Sequence, residues 1–363
     1  MLDRERREQA DGKGGDGEMV SAIPRFEPHP LLRNGHWQTI IGRYLSAPSA
    51  WPNSRDRDVA LDDGDALRVV DSVPEGWRPG DPAVVLVHGL AGSAASPYVI
   101  RVANTLLGRG VRAVRMNLRG AGDGFGLARK VYHAGRTGDL RAVVATLASE
   151  AEGSPIGLVG FSLGGSLTLK LAAEAAERPV PGLDCILAAN APLDLSGCCQ
   201  HMRRRDRRIY DRNFVRLLRK EVQRLHSRFP ELGPVGLDHV RTVYDFDDSY
   251  TAPRNGFLNA EDYYTQSSAG PVLDRILLPG LVIHAEDDPF IPPESYQGLR
   301  FPPQLAFELI PSGGHLGYIS RTRWEGNHRW LDTRLASWLT DRWRAHLLNR
   351  LGGLIPNDCH ETQ

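Results

Sequence analysis

Short apolar runs alternate along most of the chain with longer stretches in which apolar residues recur every three or four positions. The short runs have the length and composition of strands, and the longer stretches have the period of helices. The runs predict eight strands, at 59–61, 66–71, 83–88, 111–117, 156–159, 183–190, 281–284 and 305–310. The longer stretches predict helices at about 97–107, 139–150, 163–174 and 330–348.

This alternation is typical of an α/β protein with a mostly parallel sheet and helices on both faces. The first two strands are an exception, because only the turn-forming Asp62-Asp63-Gly64-Asp65 separates them. Such a short connection predicts a hairpin, which would add an antiparallel edge. We therefore predict one domain over residues 23–350, built around an eight-stranded sheet, with tails at 1–22 and 351–363.

One connection, from Leu195 to Leu278, is too long for a simple helical crossover. It predicts a helical cap insertion at about 196–277. The basic run Arg203–Arg208 opens it, and apolar residues at helical spacing follow, at Phe214, Leu217, Leu218, Val222 and Leu225. The apolar face is expected to cover the active site. The charged face could contact an anionic membrane, but acids interrupt the run and aromatics are not interleaved with it, which favours a solvated surface.

The pentapeptide Gly160-Phe161-Ser162-Leu163-Gly164 lies between a predicted strand and a predicted helix. In a G-x-S-x-G turn of this kind, the serine is held in a strained conformation at the carboxyl edge of a sheet, and the glycines let strand and helix approach. Ser162 is therefore a candidate nucleophile. The alternative is a turn serine that caps the helix, which would be favoured if no histidine and acid followed.

A candidate acid and a candidate base do follow, each just after a predicted strand. Glu286-Asp287-Asp288-Pro289 follows the strand at 281–284, and His315 lies in the glycine-rich loop after 305–310. A serine hydroxyl needs a base to take its proton, and the imidazole needs a carboxylate to fix its tautomer. The order Ser, Asp, His predicts Ser162, Asp288 and His315 as a triad. Asp287 is the alternative acid.

Backbone N–H groups near Ser162 are expected to form an oxyanion hole, which stabilises negative charge developing on a carbonyl oxygen. One predicted donor is the N–H of Leu163, the residue after the nucleophile. The other is expected in the loop after the strand at 83–88, where Leu90 directly follows His88-Gly89. His88 itself abuts the strand and is interpreted as a buried scaffold residue rather than a second base.

Composition adds only a few restrictions. The 363 residues carry 44 basic and 44 acidic side chains, and a net charge of zero gives no reason to expect nucleic acid as a partner. No run of eighteen apolar residues occurs, and the charged, glycine-rich residues 1–18 predict a disordered tail rather than a signal peptide or anchor. The four cysteines lack C-x-x-C pairing, which predicts that the protein is in the reducing cytoplasm. These residues are Cys185, Cys198, Cys199 and Cys359.

Several further motifs accompany the pentapeptide. They include His36-Trp37-Gln38-Thr39, H-G-L-A-G-S at 88–93, Asn117-Leu118-Arg119-Gly120, Tyr132-His133-Ala134-Gly135 with Asp139, Asp262-Tyr263-Tyr264, H-A-E-D-D-P-F at 284–290 and G-G-H-L-G-Y at 313–318. The set resembles the YheT-type branch of the α/β-hydrolase superfamily, over about residues 28–318. Tyr132-His133 and Asp139 could line the pocket or order the loop after the strand that ends at Asn117. We favour ordering of the loop, because Asp139 is well placed to cap the following helix.

The resemblance implies an α/β-hydrolase fold and serine carboxylesterase activity, with Ser162, one of Asp287 and Asp288, and His315 as charge-relay residues. We expect cofactor-independent hydrolysis of short- to medium-chain acyl esters or lipids through an acyl-enzyme, with a small-molecule substrate and no metal or nucleic acid. Two alternatives stay open: transfer of the acyl group to an alcohol, as in yeast members, and a noncatalytic lipid-binding role. The oligomeric state is also open.

Overall fold

The computed structural model describes residues 25–44, 49–324 and 326–352. The predicted tail at 1–22 lies outside these ranges. Of the predicted tail at 351–363, only the first two residues are described, as the end of a helix. Cys359 also lies outside the described residues, whereas the other three cysteines are buried free thiols.

One eight-stranded sheet forms the centre of the fold. Its strands are β1 (Arg55–Ala60), β2 (Ala66–Ser72), β3 (Ala83–Val87), β4 (Arg112–Met116), β5 (Ile156–Phe161), β6 (Leu183–Ala189), β7 (Gly280–Ala285) and β8 (Leu305–Ile310). Their order in the sheet is β1-β2-β4-β3-β5-β6-β7-β8. β2 pairs antiparallel with β1 and β4, and all the other pairs are parallel. The predicted α/β class, strand number and antiparallel edge are confirmed.

A second, two-stranded sheet was not predicted. It pairs β9 (Ile319–Trp324) with β10 (Asn327–Arg329). The sequence gives little sign of it, because Ile-Ser-Arg-Thr-Arg-Trp is neither an apolar run nor an apolar and polar alternation.

The helices lie on both faces of the main sheet and above its carboxyl edge. They are α1 (Gly35–Tyr44), α2 (Pro97–Gly108), α3 (Thr137–Glu150), α4 (Leu163–Glu174), α5 (Leu195–Met202), α6 (Arg208–Arg228), α7 (Val243–Phe246), α8 (Ala252–Arg254), α9 (Ala260–Ser267), α10 (Trp330–Arg342) and α11 (Arg344–Gly352). None of the helices within the described ranges has the length and apolar character needed to cross a bilayer.

Two apolar cores lie on opposite sides of the sheet because successive strand residues point to opposite faces. In β3, Val85 and Val87 pack with residues of α3 and α4, whereas Val84 and Leu86 pack with residues of α2 and α10. All four valine and leucine side chains are fully buried. A strand that is apolar throughout is therefore what a sheet covered on both faces requires.

The predicted helix at 330–348 is two helices in the structure. Trp343 separates α10 from α11, with φ −97° and ψ 16°. Its indole is buried, donates a hydrogen bond to Asp184 Oδ2 at 2.9 Å, and lies over Gly157 of β5, where a Cβ would come within 2.8 Å of the ring. Anchoring of this ring explains the break, which apolar spacing alone does not reveal.

Asp139 does not cap α3, so that prediction is wrong. The helix begins two residues earlier, at Thr137, and the Asp139 carboxylate accepts two hydrogen bonds from Arg119, at 2.8 and 2.7 Å. Arg119 also donates to Asp65 at 2.6 Å. A buried guanidinium with several carboxylate partners fixes the loop after β4, because leaving either charge unpaired in the interior would be costly.

The segment between β6 and β7 forms the helical cap. Its helices α5 to α9 share an apolar core that includes Val215, Leu218 and Val222 of α6. The same core takes in Ala134 and Leu163 from the main body of the domain. The cap therefore packs directly over the carboxyl edge of the sheet, beside the residue that follows Ser162.

Candidate active site

The turn between β5 and α4 places Ser162 at the carboxyl edge of the sheet. Ser162 has φ 53° and ψ −124°, a conformation that costs a non-glycine residue of order 1–3 kcal/mol. Its N–H donates a hydrogen bond at 2.8 Å to the carbonyl oxygen of Ala189, the last residue of β6. Its side chain makes no capping hydrogen bond with α4, which argues against the helix-cap interpretation.

The close packing around this turn requires glycine. A Cβ on Gly164 would lie 2.6 Å from His88 O, and a Cβ on Gly160 would collide with Gly164 O. A Cβ on Gly89 would lie 2.8 Å from the Cβ of Ser162. These three positions let α4 approach the end of β3, which brings the loop after β3 against Ser162.

Asp288 and His315 lie at the ends of the neighbouring strands β7 and β8. The Nδ1 atom of His315 is 2.8 Å from Asp288 Oδ2. Asp288 is buried, and its other oxygen accepts the N–H of Phe290 at 2.8 Å. Burial alone would raise the pKa of Asp288, but the adjacent His315 imidazole and these hydrogen bonds hold that pKa below its ordinary value.

Asp287 has a different environment. Its Oδ1 accepts the N–H of Gly314 at 2.8 Å, so it holds the loop in which His315 lies. Burial raises the pKa of the Asp287 carboxyl, although the backbone N–H groups of the loop oppose this. Of the two candidate acids, the structure thus brings Asp288 to the imidazole and Asp287 to the backbone beside it.

Two residues that the sequence analysis did not single out support this pair. Asn190, at the end of β6, donates its amide N–H groups to Asp288 Oδ2 at 2.6 Å and to Gly314 O at 3.1 Å. The hydroxyl of Tyr318 donates to Asn190 Oδ1 at 2.9 Å. Asn190 could have been found from its position, because it ends the predicted strand next to the one that precedes Asp288.

The helix α1 holds the loop of His315 from the other side. Thr39 Oγ1 accepts the N–H of His315 at 2.8 Å. Gln38 is fully buried and bonds both the N–H and the C=O of Ile319, at 2.7 and 3.1 Å. The His-Trp-Gln-Thr motif therefore attaches the N-terminal part of the described chain to the site.

Ser162 and His315 line the same cavity, but the hydrogen bonds of the described residues do not include one between Ser162 Oγ and the imidazole. The ring of Phe290 lies against His315, with 4.5 Å between centroids. A hydrogen bond between a serine nucleophile and its histidine is often long without substrate and shortens in the reacting complex. The structure therefore brings His315 to Asp288 and places His315 in the same cavity as Ser162.

The loop after β3 offers one free N–H group next to Ser162. The N–H of Gly89 donates to Tyr98 Oη at 3.0 Å, and that of Ala91 donates to Tyr132 Oη at 2.9 Å. The N–H of Leu90, between them, and that of Leu163 have no hydrogen-bond partner within the described part of the chain. The N–H groups of both predicted oxyanion donors are therefore free to bind a ligand, whereas the N–H groups on either side of Leu90 are already bonded.

His88 is a fixed part of this loop. Its Nε2 accepts the N–H of Leu118 at 3.0 Å, so the proton lies on Nδ1, which donates to Gly89 O at 2.7 Å. Burial lowers the pKa of His88 to about 4. A neutral imidazole with both nitrogens engaged fits the scaffold interpretation.

Two cavities meet at Ser162. The inner cavity, of about 130 Å³, lies beneath the cap, with Ser162 and Leu163 at one end. Its walls are mainly apolar side chains, among them Leu195, Met202, Leu218, Val222, Leu225, Val243 and Phe246. The outer cavity, of about 370 Å³, lies between α1 and α6 and contains both Ser162 and His315.

The inner cavity is also lined by two partly buried acids. Glu221 lies 3.3 Å from the hydroxyl of Tyr132, and Asp247 accepts the hydroxyl of Tyr264 at 2.8 Å. Burial raises the pKa of Glu221 to about 7 and that of Asp247 to about 6. Tyr132 thus both orders the loop after β3 and lines the cavity. Within the described chain, no cluster of His, Cys, Asp and Glu is arranged to hold a metal ion.

Comparisons with known proteins agree with this fold. Residues 82–322 match the family model of the alpha/beta hydrolase fold. The chain is 35% identical to the YheT protein of Escherichia coli (strain K12), over 90% of this chain and 96% of that protein. It is 27% identical to medium-chain fatty acid ethyl ester synthase/esterase 2 of Saccharomyces cerevisiae, over 81% of this chain and 68% of the relative.

A solved structure shares the fold. The Pyrococcus furiosus esterase Pf2001 superposes with a TM-score of 0.52 at 16% identity, over 83% of this chain and 97% of that one. At this identity the likeness concerns the fold alone.

The contacts of Gly164 predict a large effect of adding one methyl group. In Gly164→Ala the new Cβ meets the carbonyl oxygens at the end of β3, and overpacking of this kind costs about 1–3 kcal/mol of unfolding free energy. We expect the melting temperature, followed by circular dichroism, to fall by several degrees. Gly138→Ala is the control, because this exposed position in α3 has no atom within 4 Å of an added Cβ. An unchanged melting temperature in Gly164→Ala would contradict the packing described.

Proposed function

The chain belongs to the YheT-type branch of the α/β-hydrolase family, and from this premise we propose that it is a serine carboxylic ester hydrolase acting through an acyl-enzyme. The observation that carries the proposal is the 2.8 Å contact between His315 Nδ1 and Asp288 Oδ2. His315 also lines the same cavity as Ser162. The substrates are short- to medium-chain acyl esters or lipids.

Ser162 is the nucleophile and His315 the general base. The Oγ atom attacks the ester carbonyl carbon while its proton passes to Nε2 of the imidazole. Asp288 accepts the Nδ1–H, which keeps Nε2 free to take the proton and stabilises the imidazolium that forms. The lowered pKa of Asp288 suits this role, because the carboxylate stays ionised at neutral pH.

The negative charge that develops on the carbonyl oxygen is stabilised by the N–H groups of Leu90 and Leu163. Both are free of other partners within the described residues, so no hydrogen bond has to break when the oxyanion forms. Donors that are already in place when charge appears act most strongly in a site from which water is excluded.

The intermediate then collapses and the enzyme is regenerated. The bond between the carbonyl carbon and the alcohol oxygen breaks as His315 returns its proton to that oxygen, which leaves the acyl group on Ser162. A water molecule next attacks the acyl carbon and gives a proton to His315. The bond to Oγ breaks, the proton returns to Ser162, and the carboxylic acid leaves.

The acyl chain occupies the inner cavity, whose walls are mainly apolar. An apolar cavity of about 150 Å³ is large enough for one benzene ring, and the inner cavity is of similar volume, about 130 Å³. A short acyl chain therefore fits without movement of the cap. The similarity to the yeast medium-chain fatty acid ethyl ester synthase/esterase supports medium-chain acyl esters as substrates. The alcohol part leaves through the outer cavity.

The nucleophile is tested with a fluorophosphonate probe that reacts covalently with activated serines. We expect the native protein to be labelled and Ser162→Ala to be unlabelled, with hydrolysis of p-nitrophenyl butyrate reduced by about 10⁶-fold, the scale of removing a catalytic serine. Ser166→Ala is the control, because Ser166 is in the first turns of α4, close to Ser162 in the chain, but its hydroxyl is bonded to Pro192 O. Absence of labelling in the native protein, or undiminished labelling of Ser162→Ala, would refute the assignment.

The acid is tested by comparing the two adjacent aspartates. In Asp288→Asn the imidazole loses the carboxylate that fixes its tautomer, and we expect kcat to fall by about 10⁴-fold. In Asp287→Asn the amide oxygen can still accept the N–H of Gly314, so a much smaller loss is expected. Steady-state kinetics on the same ester measures both. The opposite order of the two effects would transfer the acid role to Asp287.

The oxyanion hole is tested through Tyr132, which positions the donor loop. Tyr132→Phe removes the acceptor of the Ala91 N–H, and Leu90 is adjacent. Loss of one oxyanion donor costs about 10²–10³ in kcat, so we expect about a tenfold to hundredfold loss with KM nearly unchanged. Tyr263→Phe is the matched control, since Tyr263 also lines the inner cavity but accepts the distant N–H of Ala134. Equal losses in both variants would refute a role specific to the loop.

A further inference from the structure

Large apolar side chains are exposed on one face of α1. Trp37, Ile40 and Tyr44 are spaced three and four residues apart, so they share that face. Their exposed fractions are 56%, 38% and 77%, and Ile209, at the start of α6, is 73% exposed. Exposed apolar residues that are scattered singly need no explanation, but a group of them marks an interaction surface.

Part of this apolar group borders the outer cavity. Ile40 and Tyr44 line that cavity together with Ser162 and His315. The two helices are joined beside it, because the ring of His36 stacks on Tyr210 and its Nδ1 is 2.8 Å from the tyrosine hydroxyl. The exposed side chains of α1 and the exposed start of α6 are therefore next to each other, on the surface through which Ser162 is reached.

A row of cations continues this surface along α6. Arg208, Arg212, Arg216 and Lys220 follow one another at intervals of four residues, so they lie along one side of the helix, and all four are exposed. No carboxylate of the described residues forms an ion pair with any of them, whereas the nearby Arg219 is paired with Asp238 at 3.4 Å. Arg216 also lines the outer cavity.

We propose that this docking surface, formed by the exposed face of α1, Ile209 and the cation row of α6, binds an anionic lipid bilayer. Trp and Tyr side chains prefer the boundary between lipid headgroups and acyl chains, and the arginines and lysine attract the phosphates of anionic lipids. The chain as a whole has no net charge, so the attraction is local to the exposed side of α6, which borders the outer cavity at Arg216. A lipid ester in the bilayer is thereby presented to Ser162.

The apolar residues distinguish a bilayer from a nucleic acid. A nucleic acid would pair with the same cations, but Ile40 and Ile209 would remain in water. From sequence, the charged face of α6 was interpreted as a solvated surface. The structure adds what sequence could not show, namely that the exposed side chains of α1 lie beside it.

The test is cosedimentation of the full chain with vesicles, a measurement that does not depend on catalysis. We expect binding to phosphatidylglycerol mixed with phosphatidylcholine, weakened by added salt, and little binding to phosphatidylcholine alone. The triple variant Arg208→Glu, Arg212→Glu and Lys220→Glu should lose at least tenfold in affinity, and Trp37→Ser with Ile209→Ser should also weaken binding. Equal binding to both kinds of vesicle, or to neither, would overturn the proposal.

The matched control has the same change in net charge. Arg78→Glu, Arg178→Glu and Arg300→Glu are at exposed positions in connections at the opposite, amino edge of the sheet, so vesicle binding should be unchanged. Circular dichroism melting shows that each variant is folded. A control variant that loses as much binding as the α6 variant would overturn the proposal, and so would binding of duplex DNA that is tighter than binding of anionic vesicles.

The same variants separate docking from catalysis. If the chain hydrolyses esters, the α6 variant should keep its activity on water-soluble p-nitrophenyl butyrate and lose at least tenfold on an ester embedded in anionic vesicles. Equal retention of both activities would overturn the proposal. A protein that binds vesicles but hydrolyses nothing would refute the proposed function and leave the docking surface supported.

Discussion

The close approach of α4 to the end of β3 is the constraint on which the rest of the site depends. It is possible only because the backbone of Gly164 lies against the carbonyl oxygens of the strand, where a side chain could not fit. The same approach sets Ser162 beside the loop that contains Leu90. The backbone strain of Ser162 is maintained because the strands and helix on either side leave its turn no other path.

A second constraint follows from the parallel strands, whose carboxyl ends meet at one edge. β6, β7 and β8 are neighbours, so Asn190, Asp288 and His315 arrive side by side although they are far apart in the chain. The buried carboxylate is made tolerable by its partners, since an isolated charge in this position would be strongly disfavoured. The acid is thus held by the same strands that form the sheet.

The sequence predicted the sheet well because apolar runs report burial directly. It indicated Ser162 and His315 as candidates because each follows a strand in a glycine-rich turn. It could not predict what depends on contacts distant in the chain. Asp139 was interpreted as a helix cap from its position in the sequence alone. Its actual partner is Arg119, and this contact forms only when the chain is folded. Likewise, apolar spacing runs on through Trp343, and only the packing of its indole shows where α10 ends. Tyr264 lies in the wall of the inner cavity, a position that the Asp262-Tyr263-Tyr264 motif alone does not reveal.

The hydroxyl of Tyr132 joins the main body of the domain to its cap, because its oxygen and its hydrogen each form a separate hydrogen bond. A lone pair of the oxygen accepts the N–H of Ala91, and the hydroxyl hydrogen is directed to Glu221 of α6. The hydrogen bond to Glu221 uses the hydroxyl hydrogen alone, so the lone pair that holds the Ala91 N–H does not depend on it. The position of the loop beside Ser162 therefore rests on the oxygen of Tyr132 and not on the hydrogen bond between Tyr132 and the cap.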